Sequence, residues 1–160
     1  TVTGFIHQRN AWQFKRDPAT AEDNRRVFND DDFWGAFTYE RREIANFIRD
    51  NHITGVCILH GDAHMLAADD GSNSDYASGG GARVPVLCAA PLDQSPSIKG
   101  GPYSQGVYKC RKGEGCFGFV QVRDLGTRLD VQYSGRNYLN EEKIALRFSV
   151  PSSVSTNAMQ

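Results

Sequence analysis

Apolar side chains occupy every second position over Leu129, Val131 and Tyr133, and again over Ile144, Leu146 and Phe148. Side chains two apart on an extended chain share one face, so both segments read as strands with one dry face and one wet face. Phe117, Phe119 and Val122 form a third strand ahead of them. Asp124-Leu125-Gly126 and a longer connection from Gly135 to Lys143 separate the three. Turn-like spacers between such runs predict an antiparallel meander.

Upstream, the pattern changes period. Thr38 is a good helix N-cap, and Phe37, Ile44, Phe47 and Ile48 fall close to one face of a helix from about Tyr39 to Asp50. Asn51 and Gly55 bracket its exit. Val56 to Leu59 then reads as a buried strand, and Val84 to Ala90 as another. Between them, Ala67 to Ala82 is so rich in glycine, serine and aspartate that it is expected to cross the surface or line a site. Asp69, Asp70, Asn73 and Asp75 invite comparison with a calcium loop. The helix-loop-helix pattern wants glycine sixth and glutamate twelfth, and counting from Asp69 those positions hold Ser74 and Gly80. The segment therefore reads as a solvated loop.

Thr3 to Gln8 could be a short strand, Arg9 to Asp32 reads mostly as loop, and Pro91 to Tyr103 as a rigid irregular loop. The serine-rich stretch after Pro151 reads as a frayed tail. The expected organisation is one α+β domain over residues 1–150 and a flexible tail over 151–160.

Charge and composition narrow the partners. With 18 basic and 19 acidic residues, the net charge is -1 and both signs are mixed along the chain. No basic footprint for nucleic acid and no polybasic membrane patch results. The longest apolar runs, about five residues, are far short of the roughly 20 that span a bilayer. No targeting segment is visible, and Thr1 in place of an initiator methionine fits a chain processed or cut from something larger. Cys57 and Cys88 sit in apolar runs, where cysteine behaves as a small hydrophobe. Cys110 and Cys116 flank the hydrophilic Arg-Lys-Gly-Glu-Gly segment. A disulfide and an open pair both suit that spacing, and a disulfide would argue for an oxidising compartment.

The stretch with most chemistry is Leu59-His60-Gly61-Asp62-Ala63-His64. An apolar strand empties into a glycine, then an acid and a histidine two apart. An oxygen and a nitrogen donor at a rigid strand end make half of a metal site. His60 could be a third ligand if the turn folds back, and is otherwise a core histidine that orients a ligand. No Gly-x-Ser-x-Gly elbow, Walker loop or cysteine knuckle occurs.

Taken in order, Asp32-Phe33-Trp34-Gly35-Ala36-Phe37, Glu40-Arg41, the Gly61-Asp62-Ala63-His64 turn, Phe117 to Val122 and Tyr133-Ser134-Gly135-Arg136 resemble the C-terminal half of the alkaline phosphatase D (PhoD-like) family. That family belongs to the calcineurin-like metallophosphoesterases. The resemblance covers roughly residues 30 to 150. It implies part of a β-sandwich flanked by helices, with a multinuclear metal centre at strand ends that hydrolyses phosphate esters. It also implies a secreted, extracellular or periplasmic enzyme.

In the wider superfamily the matching turn reads Gly-His-x-His, and each histidine serves one metal. Here Asp62 stands in the first position, as in the PhoD-like branch, and the resemblance makes Asp62 and His64 metal ligands, with His64 also counted catalytic. A carboxylate suits calcium or another oxygen-loving cation, and His64 suits iron, manganese or zinc. Asp32 and Trp34 match the family's acidic-aromatic element near the mouth of the site, or form a core tryptophan beside solvated aspartates. Lys99, ahead of two glycines, and Gln94 could meet a phosphate, or lie solvated. The Arg41-Arg42 pair reads as a solvated helix face.

The family's other ligand motifs do not occur upstream of Asp62. Two protein ligands do not hold a dinuclear centre, so the chain is expected to be the C-terminal part of a larger enzyme, inactive alone, whose N-terminal half supplies the rest. The alternative is a non-catalytic β-rich binding or assembly module that keeps the architecture.

Overall fold

The computed structural model describes residues 5–8, 34, 37–98 and 100–152, with 5–8 as backbone only. The loop expected over residues 9–32 and most of the expected tail lie outside these residues. The described elements are β1 (Phe5–Gln8), α1 (Thr38–Asp50), β2 (Cys57–His60), β3 (Leu66–Asp69), β4 (Val86–Ala89), β5 (Val107–Tyr108), β6 (Cys116–Asp124), β7 (Arg128–Asn137) and β8 (Glu142–Pro151). They form two sheets, ordered β1-β2-β4-β3-β5 and β6-β7-β8. β1, β2 and β4 run parallel, whereas β3 is antiparallel to both β4 and β5. The β6-β7-β8 sheet is the expected antiparallel meander.

Strand alternation sorts the residues of the first sheet onto two dry faces. Cys57, Leu66, Ala68 and Leu87 pack with Tyr133, Ile144, Leu146 and the Cys110 and Cys116 pair between the sheets. Ile58 and Val86 face the other way, onto Ala45 of α1 and onto Ala77, Ala82 and Val84 of the β3–β4 connection. The result is helix, sheet, sheet. Covered on both sides, β2 and β4 read as continuous apolar runs.

Five local expectations are corrected. The cap position of α1 is Phe37, with no side-chain cap bond, and Thr38 is already helical. The buried face of α1 runs through Arg41, Ala45, Ile44 and Ile48, while Phe47 is 62% exposed. At about 100° per residue, Phe47 sits roughly 120° from Arg41 and so misses that face. Arg41 is not solvated: it is buried, and its guanidinium lies 3.7 Å from the centre of the Tyr76 ring.

The stretch from Ala67 to Ala82 is not simply a solvated loop. Its first residues belong to β3, buried throughout, and Ser74, Ala77 and Ala82 are buried beyond it. Asp69 makes this possible. Its carboxylate accepts hydrogen bonds from the Gly71 and Asn73 N–H groups, from Asn73 Nδ2 and from the Ser104 N–H. Asp75 likewise accepts from the N–H groups of Gly81 and Ala82. These aspartates organise backbone.

Finally, the dry face of β6 carries Cys116, Gly118 and Val120, so Phe117 and Phe119 point to the wet side. The reason is space. A Cβ on Gly118 would stand 2.6 Å from Ala89 Cβ and 3.0 Å from the Tyr133 ring.

Candidate functional site

β2 delivers His60 to the end of the sheet, and the backbone then reverses within a few residues. The Ala63 N–H donates to the Gly61 carbonyl at 2.7 Å across Asp62, whose φ is +61°. An i to i+2 bond around a positive φ is a γ-turn of the rare, strained kind. His64 also sits at φ +56°. Non-glycine residues in the left-handed region are uncommon, and such strain collects at functional sites. Here it falls on the two expected ligands, and among the described residues also on His52 and Asn140, away from the turn.

The segment after β4 holds this turn from outside. The Nδ1 of His64 lies 2.7 Å from the Ser95 carbonyl oxygen. A carbonyl only accepts, so Nδ1 carries a proton, and in a neutral ring that leaves the lone pair on Nε2. Ser97 donates its N–H to the His64 carbonyl at 3.1 Å and its hydroxyl to the Ala63 carbonyl at 2.9 Å.

His60 supports the turn from within. It is 4% exposed, and its Nδ1 donates to the Gly61 carbonyl at 3.1 Å. Burial pushes its pKa down to about 4, so the ring is neutral. Its Nε2 is buried without a hydrogen-bond partner among the described residues. Cys88, paired with His60 across β2 and β4, is fully buried. Burial first, then the nearby Asp62 charge, raises its thiol pKa, which removes it as a nucleophile.

Trp34 is half-buried and packs against the cluster of Ala45, Ile58 and Val86. Asp32 and Lys99 lie outside the described residues. Cys110 and Cys116 form a disulfide with a Cα separation of 6.5 Å, consistent with an oxidising compartment. Among the described residues no helix is long and apolar enough to cross a membrane.

Asp62 and His64 suit a metal in donor chemistry: one offers a hard oxygen, the other a nitrogen lone pair on a ring oriented by a carbonyl. Among the described residues, no group of three or more His, Cys, Asp or Glu comes together as a metal site. Sequence reasoning missed Ser95 and Ser97. Serines in a proline-rich loop, more than 30 residues from the turn in sequence, carry no pattern that would mark them. Compared with known family models, curated proteins and solved structures, the chain gives no match.

Proposed function

We propose that this chain is the C-terminal part of a secreted, metal-dependent phosphoric ester hydrolase of the PhoD-like alkaline phosphatase or phosphodiesterase kind. In this reading Asp62 and His64 are ligands of a multinuclear centre, and an N-terminal half of the same enzyme supplies the others. Iron and calcium suit the mixed nitrogen and oxygen donors best, with manganese and zinc as further fits. The observation that carries the reading is the strained turn: Asp62 and His64 are both left-handed, and His64 is fixed in the tautomer that leaves Nε2 able to ligate.

When bound, such a centre supplies Lewis acidity toward phosphoryl oxygens and activates water near neutral pH. The chain's own residues provide the charge and orientation this needs. Asp62 contributes a negative oxygen donor at the strand end, and the Ser95 carbonyl orients the His64 ring. His60, neutral and buried, holds the Gly61 carbonyl without adding positive charge beside the metals.

That no group of three or more His, Cys, Asp or Glu comes together among the described residues also favours a second reading, a β-rich binding or assembly module without catalysis. Assays on p-nitrophenyl phosphate and its bis ester, using the intact source protein with iron, calcium, manganese or zinc, separate the two. Metal-dependent hydrolysis that disappears in Asp62→Ala supports the hydrolase. Absence of hydrolysis with every metal, or hydrolysis untouched by Asp62→Ala, refutes it.

A further inference from the structure

Ser97 spends both its donors on the turn that carries the proposed ligands. Its N–H reaches the His64 carbonyl at 3.1 Å and its hydroxyl the Ala63 carbonyl at 2.9 Å, across a sequence separation of 34 residues. Two residues earlier, the Ser95 carbonyl accepts His64 Nδ1–H at 2.7 Å. His60 Nδ1–H, just ahead of the turn, reaches the Gly61 carbonyl at 3.1 Å. The carbonyls of Gly61, Ala63 and His64, and the His64 ring, are therefore all held by groups outside the turn.

We propose that Ser97 is a positioning residue: it clamps the Ala63–His64 backbone in its left-handed course and keeps the His64 ring against the Ser95 carbonyl, with Nε2 free to ligate. Nothing inside the turn does this. Ala63 N–H to Gly61 O is the turn's own bond, and left-handed backbone at a non-glycine residue relaxes unless its surroundings impose it. Ser97 and Ser95 belong to one short segment, so anchoring that segment through Ser97 fixes where the Ser95 carbonyl sits. Loss of the hydroxyl leaves the Ala63 carbonyl without that donor and lets segment and turn drift apart. A neutral imidazole released into water favours the proton on Nε2, so the His64 tautomer reports whether the clamp is closed.

The purpose of the clamp rests on the proposed metal site, and the test keeps the two apart. Nitrogen resonances of the His64 ring are recorded in the metal-free protein for wild type, Ser97→Ala and Ser97→Thr, beside thermal unfolding and Mn2+ titration of each. Wild type is expected to show the Nδ1–H tautomer. Ser97→Ala is expected to shift most of the population to Nε2–H and to weaken Mn2+ binding at least 10-fold. Ser97→Thr, which keeps the hydroxyl, is expected to restore both. Nε2–H in the metal-free wild type overturns the proposal whatever the variants do. So does a Ser97→Ala protein with wild-type tautomer and Mn2+ affinity, even if it melts earlier. If the tautomers change as expected while wild type binds no Mn2+, the clamp stands and the metal reading fails.

Discussion

The hydroxyl of Tyr133 donates to the Cys88 carbonyl oxygen at 2.5 Å, tying the middle strand of the meander to the strand that leads into the clamp loop. The Tyr133 ring fits because its neighbours are glycines. A Cβ on Gly118 would come within 3.0 Å of the ring, and one on Gly135 within 2.9 Å of the hydroxyl. Gly118 and Gly135 face each other across β6 and β7. Tyr133→Phe is expected to cost about 1 kcal/mol. Gly118→Ala, which must move the Ala89 methyl or the ring, is expected to cost about 1–3 kcal/mol. Denaturant unfolding measures both, and an unchanged midpoint for Gly118→Ala would contradict the packing described.

Asp69 is the anchor of the β3–β4 connection. It is fully buried, with both carboxylate oxygens surrounded by donors. Asp69→Ala leaves those donors without their acceptor and is expected to cost about 3 kcal/mol or more. Asp69→Asn is expected to be nearly as harmful, because its amide would present N–H groups to N–H groups. Thermal unfolding of the two variants side by side checks this, and a near-native Asp69→Asn would count against it.

Thiol chemistry distinguishes the four cysteines. Burial pushes Cys57 up to about 12 and raises Cys88 as well, and neither side chain reaches solvent. With Cys110 and Cys116 bonded, the native chain is expected to react with no thiol reagent at pH 8. The denatured, unreduced chain should show two thiols, Cys57 and Cys88, and reduction should raise the total to the sequence's four. Reagent titration in those states makes the count, and four thiols without reduction would exclude the disulfide.

Glu114, inside the disulfide loop, sets an acid limit. Its carboxylate accepts from the Arg111 N–H, the Tyr108 hydroxyl and Asn137 Nδ2, with the Arg111 backbone bond foremost in holding its pKa below the usual carboxylate range. A lowered pKa means the unfolded chain binds the proton first. The stability from these bonds is therefore complete above the unfolded value near 4.5 and declines as pH falls through the folded one. Stability measured from pH 6 to pH 3 should fall less steeply in Glu114→Gln than in wild type. Equal slopes would remove Glu114 from the account.

What the sequence made legible followed from strict periodicity. The alternation through Val131, Tyr133, Ile144 and Leu146 located β7 and β8, because one face of that sheet is dry. β3 escaped because Leu66-Ala67-Ala68-Asp69 is buried on both faces and therefore has no alternation, and its aspartate looks solvated until its donors are seen. Phe117 and Phe119 marked β6 but not its orientation, which Gly118 decides by passing over Ala89 and Tyr133. At the site, Asp62 and His64 stood out by residue type and by Gly61 beside them. The left-handed geometry, the tautomer and the hold of Ser95 and Ser97 depend on contacts between distant segments.

The most direct measurement is the metal content of the intact source protein by elemental mass spectrometry, for wild type, Asp62→Ala and His64→Ala. Bound iron, calcium, manganese or zinc is expected in wild type, with loss of at least one equivalent in each variant and both variants still folded. Wild-type protein free of metal after purification with those ions present, or folded variants retaining the full complement, would contradict it.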